Sequence, residues 1–413
     1  MATSLSCSAD FVLGMDLGTT SVKVVLLEAQ SNSVTDSRSF PTNSDISCTT
    51  DTRAKEQDPA LIIAALDKCM DALPKDKLKK VKCIGVCGQM HGIVLWKSKS
   101  GCEWLSKDEI IRFIPKDISQ LITWQDGRCS ADFLSSLPKP DSHLSVATGF
   151  GCATIFWYMK HRPEFLSGFS DAGTIQDYVV SMLGGLDRCV MTGQNAASWG
   201  YFNSTTNQWN TQILKDAGFP VHLLPVVVES GAVAGYTSSE WYGIPAHTPV
   251  GAALGDFQCS VYSCMTDKGD AGLEVNESRI YSQLIQSALA QPNTDLTVTS
   301  TLLGERHDPT TSASVSQISP SNLSLGHVTR AVCRGIIENM ATMMPPHSLQ
   351  AAGVRCIIGS GSALSCNPVL QQEVERVFPF PVVYGKDVDS AVGVAMVFKD
   401  QLMMFVSETP DLL

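Results

Sequence analysis

Four short segments carry residue types that can do chemistry. Asp16-Leu17-Gly18-Thr19-Thr20-Ser21 stands between two β-rich apolar stretches, 11–15 and 22–27. A Gly/Thr turn between strands can aim backbone N–H groups and hydroxyls at a phosphate, and an aspartate at a strand end can hold Mg2+ directly or through water. The same residues also suit an ordinary hairpin turn in which Asp16 and the threonines bond local backbone. The turn is neither a Walker A loop nor a G-x-G-x-x-G turn. Gly255-Asp256 ends a short apolar strand where a helix begins. Asp256 there is either an N-cap, worth about 0.5–2 kcal/mol to the helix, or a general base that takes a proton from a substrate hydroxyl. The cap explains most residues of this kind.

Gln89-Met90-His91 and Trp124-Gln125-Asp126-Gly127-Arg128 each follow an apolar segment. Together they offer donors and acceptors for many hydroxyls and an aromatic face for C–H groups, which is what a sugar needs. A single His after a strand is more often a plain loop residue. Gly359-Ser360-Gly361-Ser362 lies between a strand and a helix from Asn367. Its glycines would let a flat base or ribose approach the backbone, and they equally suit an ordinary strand-to-helix turn.

The elements that hold these segments are readable. Residues 59–73 form a helix, with Leu61, Ile62, Ala65, Leu66, Cys69 and Met70 at the i, i+3, i+4 spacing and Pro74 as its stop. Residues 81–87 make a buried strand running into the turn at Gly88, 177–183 a helix, 249–254 a strand and 257–265 a helix. Strands followed by crossover helices imply an α/β class. A polar, Gly-containing linker at 266–271 divides the chain into domains 1–265 and 272–413. The second reads as helix 277–290, strand 296–303, helix 325–344 capped by Ser324, strand 355–358, helix 367–378, strand 381–384 and helix 390–402. In that last helix Ala391, Gly393 and Ala395 permit close packing.

Composition narrows the partners. With 413 residues, 44% hydrophobic and 17% charged, the chain is long and apolar enough for two or three domains with a large core. A net charge of −11 argues against nucleic acid. Fourteen cysteines are dilute in this length, with no C-x-x-C pair and no His at zinc spacing near Cys83 and Cys87 or Cys259 and Cys264. They read as reduced core thiols rather than metal ligands or disulfides. No apolar run approaches the roughly 18 residues of a membrane span, and the first ten residues lack Lys and Arg, so the expectation is a cytoplasmic protein away from membranes. The sequons at Asn203, Asn276 and Asn322 are then chance.

Taken in order, the segments resemble the FGGY family of carbohydrate kinases. Stretches 124–129, 143–157, 174–178, 195–202, 303–307 and 323–330 extend the similarity over nearly the whole chain. The resemblance implies two ribonuclease-H-like domains of the actin and hexokinase type, with ATP and sugar between them. By position, Asp16, Gly18, Thr19 and Thr20 would be the first phosphate motif, with Asp16 at the Mg2+. Gln89, Met90, His91, Trp124 and Arg128 would line the sugar pocket. Asp256 would be the catalytic base, which reverses its reading as a cap. Gly359, Gly361, Ser362 and Asn367 would sit at the adenosine. The implied reaction is phosphoryl transfer from ATP to sedoheptulose, giving a 7-phosphate that feeds the pentose phosphate pathway; xylulose and ribulose are alternative acceptors.

The chain departs from this pattern at one place. The family's second half opens with a hairpin whose Gly-Thr/Ser turn holds ATP phosphates, and only residues 266–276 stand where it should be. An internal deletion of several dozen residues near 265–272 is expected, with ATP binding weakened or lost and a sheet edge left exposed. A sugar-binding or partner-binding protein without turnover is the alternative from another class.

Overall fold

The computed structural model describes residues 10–47, 51–107, 110–264, 270–274, 282–301, 311–384 and 389–408. They form two compact units, one built from the chain up to Cys259 together with the stretch from Ser390, the other Ser260–Asp389. No helix among the described residues is long and apolar enough to cross a membrane.

The first unit begins with β1 (Phe11–Leu17), β2 (Ser21–Glu28) and β3 (Val34–Pro41), then two short strands, β4 (Asp45–Ile46) and β5 (Glu56–Gln57). Helix α1 (Pro59–Asp71) starts there because the Asp58 carboxylate accepts from the Ala60 N–H and Pro59 fills the first helical position. After it come β6 (Val81–Gly88), β7 (Leu121–Ile122), α2 (Gly151–His161), α3 (Ile175–Gly184) and α4 (Gly193–Trp199). The unit's main sheet is completed by β8 (Val233–Tyr236), β9 (Pro249–Gly251) and β10 (Leu254–Gly255), beyond which α5 (Asp256–Cys264) follows. The strand order is β8-β9-β6-β1-β2-β3, with β10 also on β6. Strands β1, β2 and β3 are antiparallel, while β1, β9 and β10 run parallel to β6.

Both faces of β1 are covered. Phe11, Leu13, Met15 and Leu17 join Ile62, Leu66, Cys69 and Met70 of α1 in one core. Val12 points to the other face, against Val394, Ala395 and Phe398 of the closing helix Ser390–Glu408. That helix settles onto the strands because they lack side chains beneath it. A Cβ on Gly14 would stand 2.0 Å from the Ala391 carbonyl oxygen, and one on Gly251 1.9 Å from the Phe398 ring. Gly14 and Gly85 are register partners on β1 and β6, so the bare positions line up across the sheet. This corrects the expected division at 272–413: the closing helix packs into the first unit, and residues 270–271, expected in the linker, lie in a strand.

The second unit has β11 (Asp270–Glu274), α6 (Ser282–Leu289), α7 (Leu325–Met343), β12 (Cys356–Ser360), α8 (Pro368–Val377) and β13 (Val382–Tyr384). Its sheet, β11-β12-β13, is parallel throughout among the described residues. Ala288, Cys333, Ile337, Ile357, Leu370, Val374 and Phe378 make its core. Arg330 and Glu373, both almost wholly buried, pair at 3.0 Å across α7 and α8. Of the helix expected at 277–290, residues 277–281 lie outside the described residues and the rest is seen as Ser282–Leu289. The strand expected at 296–303 shortens to Thr297–Thr299, its end lying outside the described residues.

Candidate active site

Strands β1, β6 and β10 end side by side. Asp16 is in register with Cys87, Leu17 with Gly88, and Gly255 with Gly88, so Asp16, Gln89 and Asp256 leave neighbouring strand ends together. Carboxyl ends of parallel strands are where α/β sheets bind ligands. Cys87 lies on β6, the strand between β1 and β10. Burial, then Cys259, then the charges of Asp16 and Asp256 raise its pKa well above the ordinary value.

Asp256 is the first residue of α5, and its Oδ1 accepts from the Phe257 N–H at 2.7 Å. Burial pushes its carboxyl from 3.8 up to about 6, and the N–H bonds offset only part of that. A carboxylate with a pKa just below neutrality is ionised at pH 7 yet basic enough to take a hydroxyl proton. Gly255 beside Asp256 has no room for a Cβ, which would stand 2.2 Å from Gln258 Oε1 and 2.5 Å from Met90 Sδ. Met90 is thereby pressed against the backbone that leads into Asp256.

The turn at Gly18, Thr19 and Thr20 is braced from inside the unit. The Thr19 carbonyl accepts from Gln57 Nε2 at 2.9 Å and Thr42 Oγ1 at 3.1 Å, and the Thr20 carbonyl from the Thr42 N–H at 2.9 Å. Trp124 Nε1 donates to Thr19 Oγ1 at 3.1 Å, which donates in turn to Gln89 Oε1 at 3.5 Å. The Trp124 loop is closely packed: Gly149, at φ 76°, would place a Cβ 2.3 Å from the Trp124 carbonyl oxygen. His91, at φ 70°, stacks on Phe150 with centroids 4.8 Å apart, and its Nδ1 donates to the Ser198 carbonyl at 2.9 Å.

Two expected sugar-lining residues have other partners here. Gln89 is 2% exposed, and its amide donates to Gln57 Oε1 at 3.0 Å. Arg128 is 6% exposed and bonded to Asp126, to Tyr158 and, at 2.5 Å, to Glu56. Burial alone would lower its pKa, but Asp126 and Glu56 outweigh burial and raise it. Arg128 is thus tied to two carboxylates, one of them in the Trp124–Arg128 loop itself.

In the second unit, Gly359, Gly361, Ser362 and Asn367 lie on β12 or just past it. Gly361 takes φ 87°, which favours glycine. The open face of Gly359 is filled by Tyr384, whose Cδ1 would lie 2.7 Å from a Cβ there. Asn367 Oδ1 accepts from the Val369 and Leu370 N–H groups and caps α8.

The sequence reading missed Gln57 and Gln176. Gln176, fully buried, donates to the carbonyls of Gly88 and Gln89 at 3.0 and 3.2 Å. Both stand beside a helix start, before Asp58-Pro59 and within Thr174 to Asp177, where Thr174 and Asp177 form a capping box. Each capping signal was readable; the inward aim of the neighbouring amide was not.

The N-terminal domain model of the FGGY family of carbohydrate kinases matches residues 11–263. The chain is 48% identical to the sedoheptulokinase of Mus musculus over 470 residues, covering 94% of this chain and 97% of that protein. It is 48% identical to that of Homo sapiens over 465 residues, covering 93% and 96%. Since 470 exceeds the 413 residues here, at least 57 aligned positions of the mouse protein have no counterpart. Among solved structures, a Plasmodium falciparum glycerol kinase with ADP matches with a TM-score of 0.74 at 16% identity, covering 97% of this chain and 92% of that one. A Rhodospirillum rubrum xylulose kinase matches at 0.72 and 19%, covering 98% and 91%. These two likenesses speak for the actin and hexokinase type of fold, and the sequence matches settle the family: the chain belongs to the FGGY carbohydrate kinases.

Proposed function

We propose that this chain is an ATP-dependent ketose kinase that phosphorylates the terminal hydroxyl of sedoheptulose, giving sedoheptulose 7-phosphate. The observation that carries the reading is that Asp16 and Asp256 leave the carboxyl ends of β1 and β10, the two strands that flank β6, with burial raising the Asp256 carboxyl to about 6. The choice of sugar rests on the 48% identity to the mouse and human sedoheptulokinases. Asp256 takes the hydroxyl proton. Met90, His91 and the Trp124 ring orient the ketose, with Gln89 and Arg128 holding that wall in shape.

The turn fits a phosphate and its ion. A Cβ on Gly18 would meet the Ser21 carbonyl oxygen at 3.0 Å, Thr20 is exposed, and Asp16 supplies a hard oxygen ligand of the kind Mg2+ takes. Asp16, Gly18, Thr19 and Thr20 would hold the phosphates and Mg2+, and Gly359, Gly361, Ser362 and Asn367 the adenosine side. When bound, ATP supplies the phosphoryl group and Mg2+ neutralises its charge. The described cysteines are all free thiols, most of them buried, in keeping with a reducing cytoplasm.

A second reading is a chain that binds the ketose without turnover. The 57 or more unmatched positions favour it. Purified protein, sedoheptulose, xylulose and ribulose in an ADP-release assay, together with sedoheptulose calorimetry, separate the two. ADP release fastest with sedoheptulose supports the first reading, and binding without release supports the second. Neither binding nor release sinks both.

A further inference from the structure

Gln57 holds a position for which neither the phosphate motif nor the sugar wall accounts. It is 1% exposed and closes β5, which pairs with β4 through Asp45 and with β7 through Leu121. The next residue, Asp58, caps α1, so the backbone at Gln57 is fixed on both sides. From that anchor the side chain uses both ends of its amide. Nε2 donates to the Thr19 carbonyl at 2.9 Å and to Asp45 Oδ1 at 2.8 Å, while Oε1 accepts from Gln89 Nε2 at 3.0 Å. Thr19 Oγ1 donates to Gln89 Oε1, closing a ring of three residues that Trp124 joins through its indole N–H.

We infer that Gln57 is a positioning residue: through this ring it sets Gln89 and the Thr19 turn in one geometry and fixes the Trp124 face of the sugar site. The inference rests on the ketose-kinase reading. It identifies a residue that need not touch the sugar yet determines how well the sugar is held. Glutamine is the amide that fits, because Thr19 O and Asp45 Oδ1 both accept from its Nε2 while Gln89 Nε2 donates to its Oε1. A glutamate would face two acceptors with a third, and a methionine of similar length would satisfy none of the three groups.

The test is sedoheptulose calorimetry on full-length wild type, Gln57→Met, Gln89→Met and the double variant, with melting temperatures recorded alongside. Tyr242→Phe is the control for lost stability, since it removes a buried 2.8 Å hydrogen bond to Asp67 elsewhere in the same unit. We expect each single variant to weaken sugar binding at least tenfold. The double variant should fall within threefold of either single one, because the ring is already open. Tyr242→Phe should melt earlier with sugar affinity unchanged. A Gln57→Met protein that binds within twofold of wild type while melting earlier would show a merely structural role. Losses that multiply in the double variant would show that no ring couples the two residues. If wild type prefers another ketose, only the choice of sugar in the ketose-kinase reading fails, and the same variants are scored on that ketose. A wild type that binds no ketose overturns both inferences.

Discussion

Replacing Asp256 with asparagine should destroy the proposed base and stabilise the protein, with the gain growing as pH rises. Burial raises the folded-state carboxyl from 3.8 to about 6. The ionised form therefore costs the fold roughly 2–3 kcal/mol near neutrality, at about 1.4 kcal/mol per pH unit and with some allowance for its half-buried side chain. The sign follows from the raised value. The stability this group contributes is fully present below 3.8 and is lost as pH climbs through about 6. The asparagine side chain keeps an oxygen for the Phe257 N–H and carries no charge. At pH 7.5 the Asp256→Asn protein should melt about 5 °C above wild type, taking a few degrees per kcal/mol. At pH 4.5 the advantage should shrink to about a third, by the same linkage. Calorimetric melting at the two pH values reads this whether or not phosphoryl transfer is fast. In any ADP-release assay, turnover should drop roughly 100-fold to 10,000-fold. An advantage that stays flat with pH, or a variant less stable than wild type at pH 7.5, would refute the claim that Asp256 is held ionised against its surroundings.

Three other outcomes are expected. Phe398→Ala should cost about 3–5 kcal/mol by urea unfolding, since the ring is 1% exposed and fills the space over Gly85 and Gly251. Arg128→Ala should cost about 3–5 kcal/mol in the same measurement, because it strands Asp126 and Glu56 beside each other. Gly255→Ala should raise the sedoheptulose Kd at least fivefold, an effect of about 1–3 kcal/mol from displacing Met90 or Gln258, with the circular dichroism spectrum unchanged.

Much of this molecule was legible in order of residues, and the rest depended on direction. Helix α1 could be read from Leu61 to Met70 because its apolar spacing and Asp58-Pro59 start are local features. The two carboxylates could be singled out because each follows an apolar strand. The destination of the closing helix could not be read. Gly14, Gly85 and Gly251 are far apart in sequence and become one bare strip only through strand register, which a linear pattern does not encode. Gln57 and Arg128 show a related limit: composition says that a polar residue is present, not whether it turns toward solvent, ligand or protein. At Gly359 the missing Cβ makes room for the Tyr384 ring, a packing need that looks the same in sequence as a turn left open for a ligand.

The return of Ser390–Glu408 to the first sheet has a consequence for biosynthesis. During synthesis, β1, β2, β6 and β10 leave the ribosome long before the helix that covers Val12, Val25, Leu27, Cys83 and Leu254. That greasy face must stay wet, or be shielded by a chaperone, until nearly 400 residues have emerged. The segment the family model outlines, 11–263, is thus a unit of descent but not an independently finished folding unit. Expressed alone, it would lack its own last wall.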